Sequence, residues 1–203
     1  MLLMWLRNPL RIGAVAPSSP ALARSMAQLV GPPAGCRVVE LGGGTGAITG
    51  ALLSHGIDPR HLMVVERDPV LYQALRQRFP DLHLLEGDAA ELPALLARHG
   101  LEPVNAVVSG LPLLGMPAPV QEAILAAAFR VLLPGGRVIQ FTYGPSIPVR
   151  QSVPARLGLV ARPAGRVWKN VPPARIWVFE RQEDRNRPPR RLAEENELRE
   201  RGL

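Results

Sequence analysis

An α/β fold is predicted, with a mostly parallel sheet, helices on both faces and an antiparallel strand pair at its C-terminal side. Three observations predict it. Between Cys36 and Tyr143, short apolar β-type runs alternate with helix-period segments, the pattern of parallel strands joined by crossover helices. After Tyr143 the alternation breaks, and residues 157–181 hold two β-rich runs with a Pro-containing link and no crossover helix pattern. The 203 residues are enough for one domain with a sizeable core, and nothing suggests a second globular unit.

Each element carries its own signal. Ser19 reads as an N-cap and Pro20 as the first helical residue of a segment reaching about Val30, stopped by the Gly- and Pro-rich residues 31–35. Strands are predicted at 36–41, 61–66, 82–87, 105–110 and 137–143. Helices are predicted at 45–56, 69–79, 91–100 and 117–133, the last stopped by Pro134-Gly135-Gly136. Three regions follow: an N-terminal segment at 1–30, a main domain at 31–181, and a charged, Pro-interrupted tail at 182–203 with a short helix from Leu192.

Composition narrows the function classes. The formal charge is +7, and Lys169 is the only lysine. A basic balance favours polyanionic partners, either nucleic acid or an anionic membrane face. Genome composition accounts for much of the preference for Arg over Lys, but not for the net sign. Cys36 is the only cysteine, so no intrachain disulfide forms. His55, His61, His83 and His99 show no metal-ligand spacing, and no metal site is expected. No apolar run approaches the roughly 20 residues of a membrane span. Arg7 and Arg11 interrupt the apolar patch at the N-terminus, and no secretory cleavage site follows. A cytoplasmic protein, free or lying on a membrane surface, is expected.

The chemistry centres on Glu40-Leu41-Gly42-Gly43-Gly44-Thr45-Gly46, where a strand runs into glycines and then a helix. Glycines at 42, 44 and 46 permit a sharp turn and close approach of backbone to a ligand. Alone, such a turn serves a dinucleotide, a phosphate or nothing. Glu40 before the turn suits a ligand with an ammonium group, as the methionine part of S-adenosylmethionine (SAM) has. Glu66 closes the second strand, where an acid accepts from ribose hydroxyls. Asp88, in Gly87-Asp88-Ala89 after the third strand, suits the exocyclic amine of adenine. The alternatives are structural: Glu66 as an exposed strand-end acid and Asp88 as a helix cap.

Together with Leu132-Leu133-Pro134-Gly135-Gly136 before strand five, these motifs resemble class I SAM-dependent methyltransferases over roughly residues 36–143. The resemblance implies a Rossmann-like sheet with an antiparallel C-terminal pair. It puts Glu40 and the glycine turn at the methionine end, Glu66 on the ribose and Asp88 near adenine. The cofactor set it implies is Ser18, Ser19, Glu40, Gly42, Gly44, Thr45, Gly46, Glu66, Arg67, Gly87, Asp88, Ala89 and Ser109, with Ser18 and Ser19 lying over the cofactor. Ser19 also has the plain reading of a helix cap.

Four segments narrow the resemblance to bacterial phospholipid N-methyltransferases: residues 5–19, 109–114, 141–145 and 167–179. That resemblance implies stepwise methylation of phosphatidylethanolamine toward phosphatidylcholine, at the inner face of the cell membrane. In the runner-up, an RNA adenine N6-dimethyltransferase, an aromatic stacking on the base follows the strand-four step. Leu113 stands there, and base stacking is worth about 1–3 kcal/mol, so no nucleic-acid partner is expected. A third reading is a non-catalytic SAM- or membrane-binding module. Leu2, Leu3, Trp5, Leu6 and Leu10 offer an apolar side for an anionic phospholipid surface, with Arg7 and Arg11 near the phosphates. The alternative is an ordinary packed first helix. As catalytic candidates, Tyr143 holds the increasingly methylated headgroup cation and Ser109 orients the amine. Trp168, Lys169 and Leu111 join Tyr143 as substrate contacts, Tyr72 is a weaker aromatic, and Trp177 reads as sheet packing.

Overall fold

The computed structural model describes residues 19–101, 103–168, 170 and 172–186. The apolar N-terminal stretch with Trp5, Arg7 and Arg11, the expected cofactor contact Ser18, the expected substrate contact Lys169 and the tail helix from Leu192 all lie outside the described residues.

Seven strands form one sheet in the order β3-β2-β1-β4-β5-β7-β6. They are β1 Val38–Leu41, β2 Leu62–Glu66, β3 His83–Glu86, β4 Val104–Ser109, β5 Leu132–Thr142, β6 Leu159–Val167 and β7 Ala174–Arg181. The first five are mutually parallel. β7 runs antiparallel to both β5 and β6, so β6 points the same way as the first five and forms the edge. The predicted C-terminal pair is present, with its second strand lying inside the sheet. β1 pairs with β2 on one side and β4 on the other. The chain therefore reverses direction across the sheet there, and open α/β sheets bind ligands beyond the carboxyl ends of their strands at such a point.

The central strands β1 and β2 are mostly apolar for a physical reason. β1 and β2 are buried at every position, as strands covered on both faces must be. One face carries α4 Leu92–Arg98, α5 Ala118–Val131 and α6 Ser152–Arg156, packed through Leu95, Leu125 and Val153 onto Leu41, Val107 and Phe179. The other carries α1 Pro20–Ala27 and α2 Ala47–Ser54, whose Leu22, Met26 and Leu52 meet Val38, Val108 and Ile139. α3 Pro69–Arg78 contributes Leu75 to this second core. Ser19 caps α1 as predicted, its Oγ accepting the Leu22 N–H at 3.2 Å.

Two local readings change. Pro134-Gly135-Gly136 lies within β5 and does not precede it. Pairing passes from Val104–Leu132 to Ala106–Arg137, so the segment is a bulge, with Pro134 unable to donate to the ladder and Gly135 at φ +76°. The five-residue α6 was not anticipated, because Pro154 within it reads as loop punctuation.

Candidate active site

The carboxyl ends of β1, β2, β3 and β4 converge through backbone bonds that extend the sheet. Gly42 donates to Val65 O at 2.8 Å, Gly87 to Glu66 O at 3.1 Å and Gly110 to Leu41 O at 2.8 Å. Gly42 and Gly44 have φ of +75° and +54°, which only glycine adopts without strain. Gly43, which the sequence reading passed over, is needed for a different reason. A Cβ there would lie 2.5 Å from Val64 Cγ1 and 2.8 Å from Leu75 Cδ1. The turn is thus pressed directly onto β2 and α3.

Glu66 organises this turn. Its Oε2 accepts the Gly44 N–H at 2.9 Å, and its Oε1 accepts those of Arg67 at 2.8 Å and Asp68 at 2.9 Å. A carboxylate offers about four acceptor positions, so Oε2 keeps one for a hydroxyl donor. Asp88 does two jobs. Its Oδ1 accepts the Ala90 N–H at 2.9 Å, the cap foreseen as its structural alternative, while Oδ2 meets Arg67 Nη1 at 3.2 Å. A cavity of about 220 Å³ opens between these groups. Gly42, Glu66, Arg67, Gly87, Asp88 and Ala89 line one side, and Leu111 with Pro112, Met116 and Ile124 forms an apolar wall. Carboxylates beside an apolar slot suit a ribose joined to a flat heterocycle, the nucleoside part of SAM.

The remaining candidates do not line this cavity. Glu40 is fully buried, and its Oε2 accepts from Thr49 Oγ1 at 2.6 Å. Oε1 has no partner among the described residues. Burial raises the Glu40 carboxyl to about 8, the Thr49 hydrogen bond opposes that, and the nearby Glu66 charge adds to it. An orphaned buried acceptor fits the ammonium that the sequence reading assigned to it. Thr45 is exposed, its carbonyl accepting from Arg78 at 2.8 Å. Gly46 caps α2 in the left-handed conformation.

Ser109 is buried at the end of β4, its Oγ accepting the Leu111 N–H at 3.4 Å. Leu113 is also buried, so the turn after β4 presents no aromatic face at that position. Sequence reasoning missed Gln140, the register partner of Ser109 on β5. Its Nε2 donates to Leu111 O at 2.9 Å and Phe141 O at 3.0 Å, fixing the turn that forms the apolar wall. Tyr143 follows β5, half-buried and edge-on to Phe141 at 5.3 Å. Burial raises its phenol, and a hydrogen bond with Asn170 opposes that. Asn170, also missed, accepts the Ser19 N–H at 3.3 Å. Trp168 is exposed at the end of β6 with the Arg166 guanidinium 3.7 Å above its ring. Trp177 packs against the core, as its sheet-packing reading required.

Residues 38–136 match a family model described as a methyltransferase domain. Ornithine lipid N-methyltransferase of Singulisphaera acidiphila is 36% identical over 137 residues, covering 66% of this chain and 71% of that protein. The chain belongs to the class I SAM-dependent methyltransferases. The fold agrees. A TehB-like SAM-dependent methyltransferase of Corynebacterium glutamicum superposes with a TM-score of 0.59 at 19% identity, over 89% of this chain and 95% of that one. A glycopeptide N-methyltransferase complexed with sinefungin, a SAM analogue, gives 0.60 at 14% identity over 82% and 95%. This methyltransferase also resembles ribosomal RNA small subunit methyltransferase A of Opitutus terrae, 34% identical over 137 residues. That match covers 57% of this chain but only 48% of the relative.

Proposed function

We propose that this methyltransferase N-methylates the amine of a membrane lipid headgroup, with phosphatidylethanolamine, converted toward phosphatidylcholine, as its substrate. The observation that carries the reading is the likeness to ornithine lipid N-methyltransferase across 71% of that protein's length. Phosphatidylethanolamine and an ornithine headgroup share a primary amine beside an anionic group, so the same transfer chemistry serves both. The enzyme works on the inner face of the cell membrane in this reading.

Bound SAM supplies an electrophilic methyl on its sulfonium. The protein's part is to bind, align and desolvate. Glu66 takes the ribose diol, Asp88 and the apolar wall take adenine, and Glu40 with the glycine turn takes the methionine end. Ser109 and Tyr143, at the ends of β4 and β5, orient the amine, which attacks as the neutral form and gives up its proton to water.

The test is transfer of label from SAM to vesicles containing phosphatidylethanolamine, resolved by thin-layer chromatography. Labelled mono-, di- or trimethylated lipid is the expected result. No label in lipid, from protein that binds SAM, overturns the proposal. A second reading, adenine methylation of ribosomal RNA, has the 34% identity to the Opitutus enzyme in its favour. The buried Leu113 disfavours it, since that position cannot stack on a base. Label in ribosomal RNA in place of lipid would select it.

A further inference from the structure

We infer that the carboxyl edge of the sheet, beside the cofactor cavity, is the face this enzyme lays on an anionic phospholipid bilayer, with Arg166, Arg175 and Trp168 as its headgroup contact. The inference rests on the lipid reading above and adds the surface and the residues.

The first observation is an uncompensated pair of charges. Arg166 on β6 and Arg175 on β7 are register partners, so their side chains leave the same face of the sheet. Like charges placed opposite each other destabilise a strand pair. Neither arginine has an acidic partner among the described residues: Arg175 Nη1 donates to Pro145 O at 2.7 Å, and Arg166 stacks on Trp168. Farther back on the same strands, Arg162 is held by Glu180 through two bonds of 3.0 and 3.1 Å. The hairpin neutralises its arginine there and leaves two open at the carboxyl edge. Paired guanidinium forks match phosphate oxygens.

The second observation is where the exposed apolar side chains lie. Val70, Leu114, Val120 and Trp168 are the large exposed hydrophobics among the described residues. Val70 is in the first turn after β2, Leu114 and Val120 follow β4, with Val120 also at the rim of the cofactor cavity, and Trp168 follows β6. All four therefore sit at the carboxyl edge. Tryptophan suits a boundary with one wet and one apolar side. Exposed aliphatic side chains on the same edge of the sheet as the arginines favour a lipid surface over an RNA, which gives valine and leucine nothing to enter.

The test is co-sedimentation of the full chain with vesicles of phosphatidylcholine alone or mixed with phosphatidylglycerol. The wild type should prefer the mixed vesicles. Arg166→Gln with Arg175→Gln should lower the partition coefficient about 30-fold, roughly fivefold per charge, with SAM affinity reporting the fold. Arg98→Gln, an exposed charge at the end of α4 on the opposite edge, should leave it unchanged. If the double variant loses SAM binding, Trp168→Ser, a purely surface change, should still weaken vesicle binding severalfold. Unaltered vesicle binding by the folded double variant, or by Trp168→Ser, overturns the inference. So does an equal loss in Arg98→Gln, which would reduce the effect to net charge, and so does loss of ribosomal RNA binding with vesicle binding intact. Turnover of the wild type on aminolipid in detergent micelles tests the proposed function separately. Its failure, beside arginine-dependent vesicle binding, would leave the docking face standing.

Discussion

Asn170 joins α1 to the β6–β7 connection: its Oδ1 accepts the Ser19 N–H at 3.3 Å while its Nδ2 donates to Pro172 O at 2.7 Å. The amide is buried and also hydrogen-bonds Tyr143. One side chain thus holds the helix start, the hairpin loop and the candidate substrate tyrosine in register. Asn170→Ala leaves partly buried polar groups unpaired, which costs about 1 kcal/mol. Urea unfolding should show that loss as a lower midpoint, and an unchanged midpoint would mean that the contact contributes nothing.

Glu66→Gln tests the turn. The carboxylate accepts three backbone N–H groups, and an amide must present N–H to at least one of them. Loss of a hydrogen bond to a charged group is worth about 1.5–3 kcal/mol. Calorimetry should find SAM binding weaker by about 10- to 100-fold. Equal affinity would remove Glu66 from the cofactor site.

Glu40 predicts a pH dependence. Its carboxyl is raised from 4.5 to about 8, chiefly by burial. The folded state therefore keeps a proton that the unfolded chain has lost, and stability falls as pH rises from about 4.5 to about 8. Glu40→Gln keeps an acceptor for Thr49 and removes the titration. Without cofactor, the variant should melt at a higher temperature than the wild type at pH 9 and show a flatter melting profile between pH 5 and pH 8. Parallel profiles for the two proteins would contradict the assignment.

Gly43→Ala places a methyl within 2.5 Å of Val64 Cγ1 and 2.8 Å of Leu75 Cδ1. Overpacking of this kind costs about 1–3 kcal/mol. Thermal unfolding should register the loss even without SAM, which separates a packing role from a ligand contact.

The parts of this molecule legible in the sequence were those with local causes. β1 and β2 could be read because strands buried at every position are mostly apolar, and β3 to β5 because they alternate with helix-period segments. The glycine turn, Glu66 and Asp88 could be read because each sits at or just past the carboxyl end of a strand. What escaped depended on partners far along the chain. Gly43 matters through Val64 and Leu75, Gln140 through a carbonyl 29 residues away, and Asn170 through an amide 151 residues away. Likewise, two β-rich runs reveal a hairpin but not which of them pairs with β5. The bulge at Pro134-Gly135-Gly136 looked like a helix stop because the pairing that flanks it, Val104 with Leu132 and Ala106 with Arg137, joins residues far apart in the chain.

The placement of β7 has a consequence for how the protein is made. A chain emerging from the ribosome presents β5 and then β6 while the strand that must lie between them is still unsynthesised. About forty residues separate Thr142 from Arg181, and at 5–20 residues per second that gap lasts about 2–8 s. For that interval the outer edge of β5 stands open. The two strands that flank β7 must stay apart until it arrives, so the last of the seven strands to be translated closes the sheet from within.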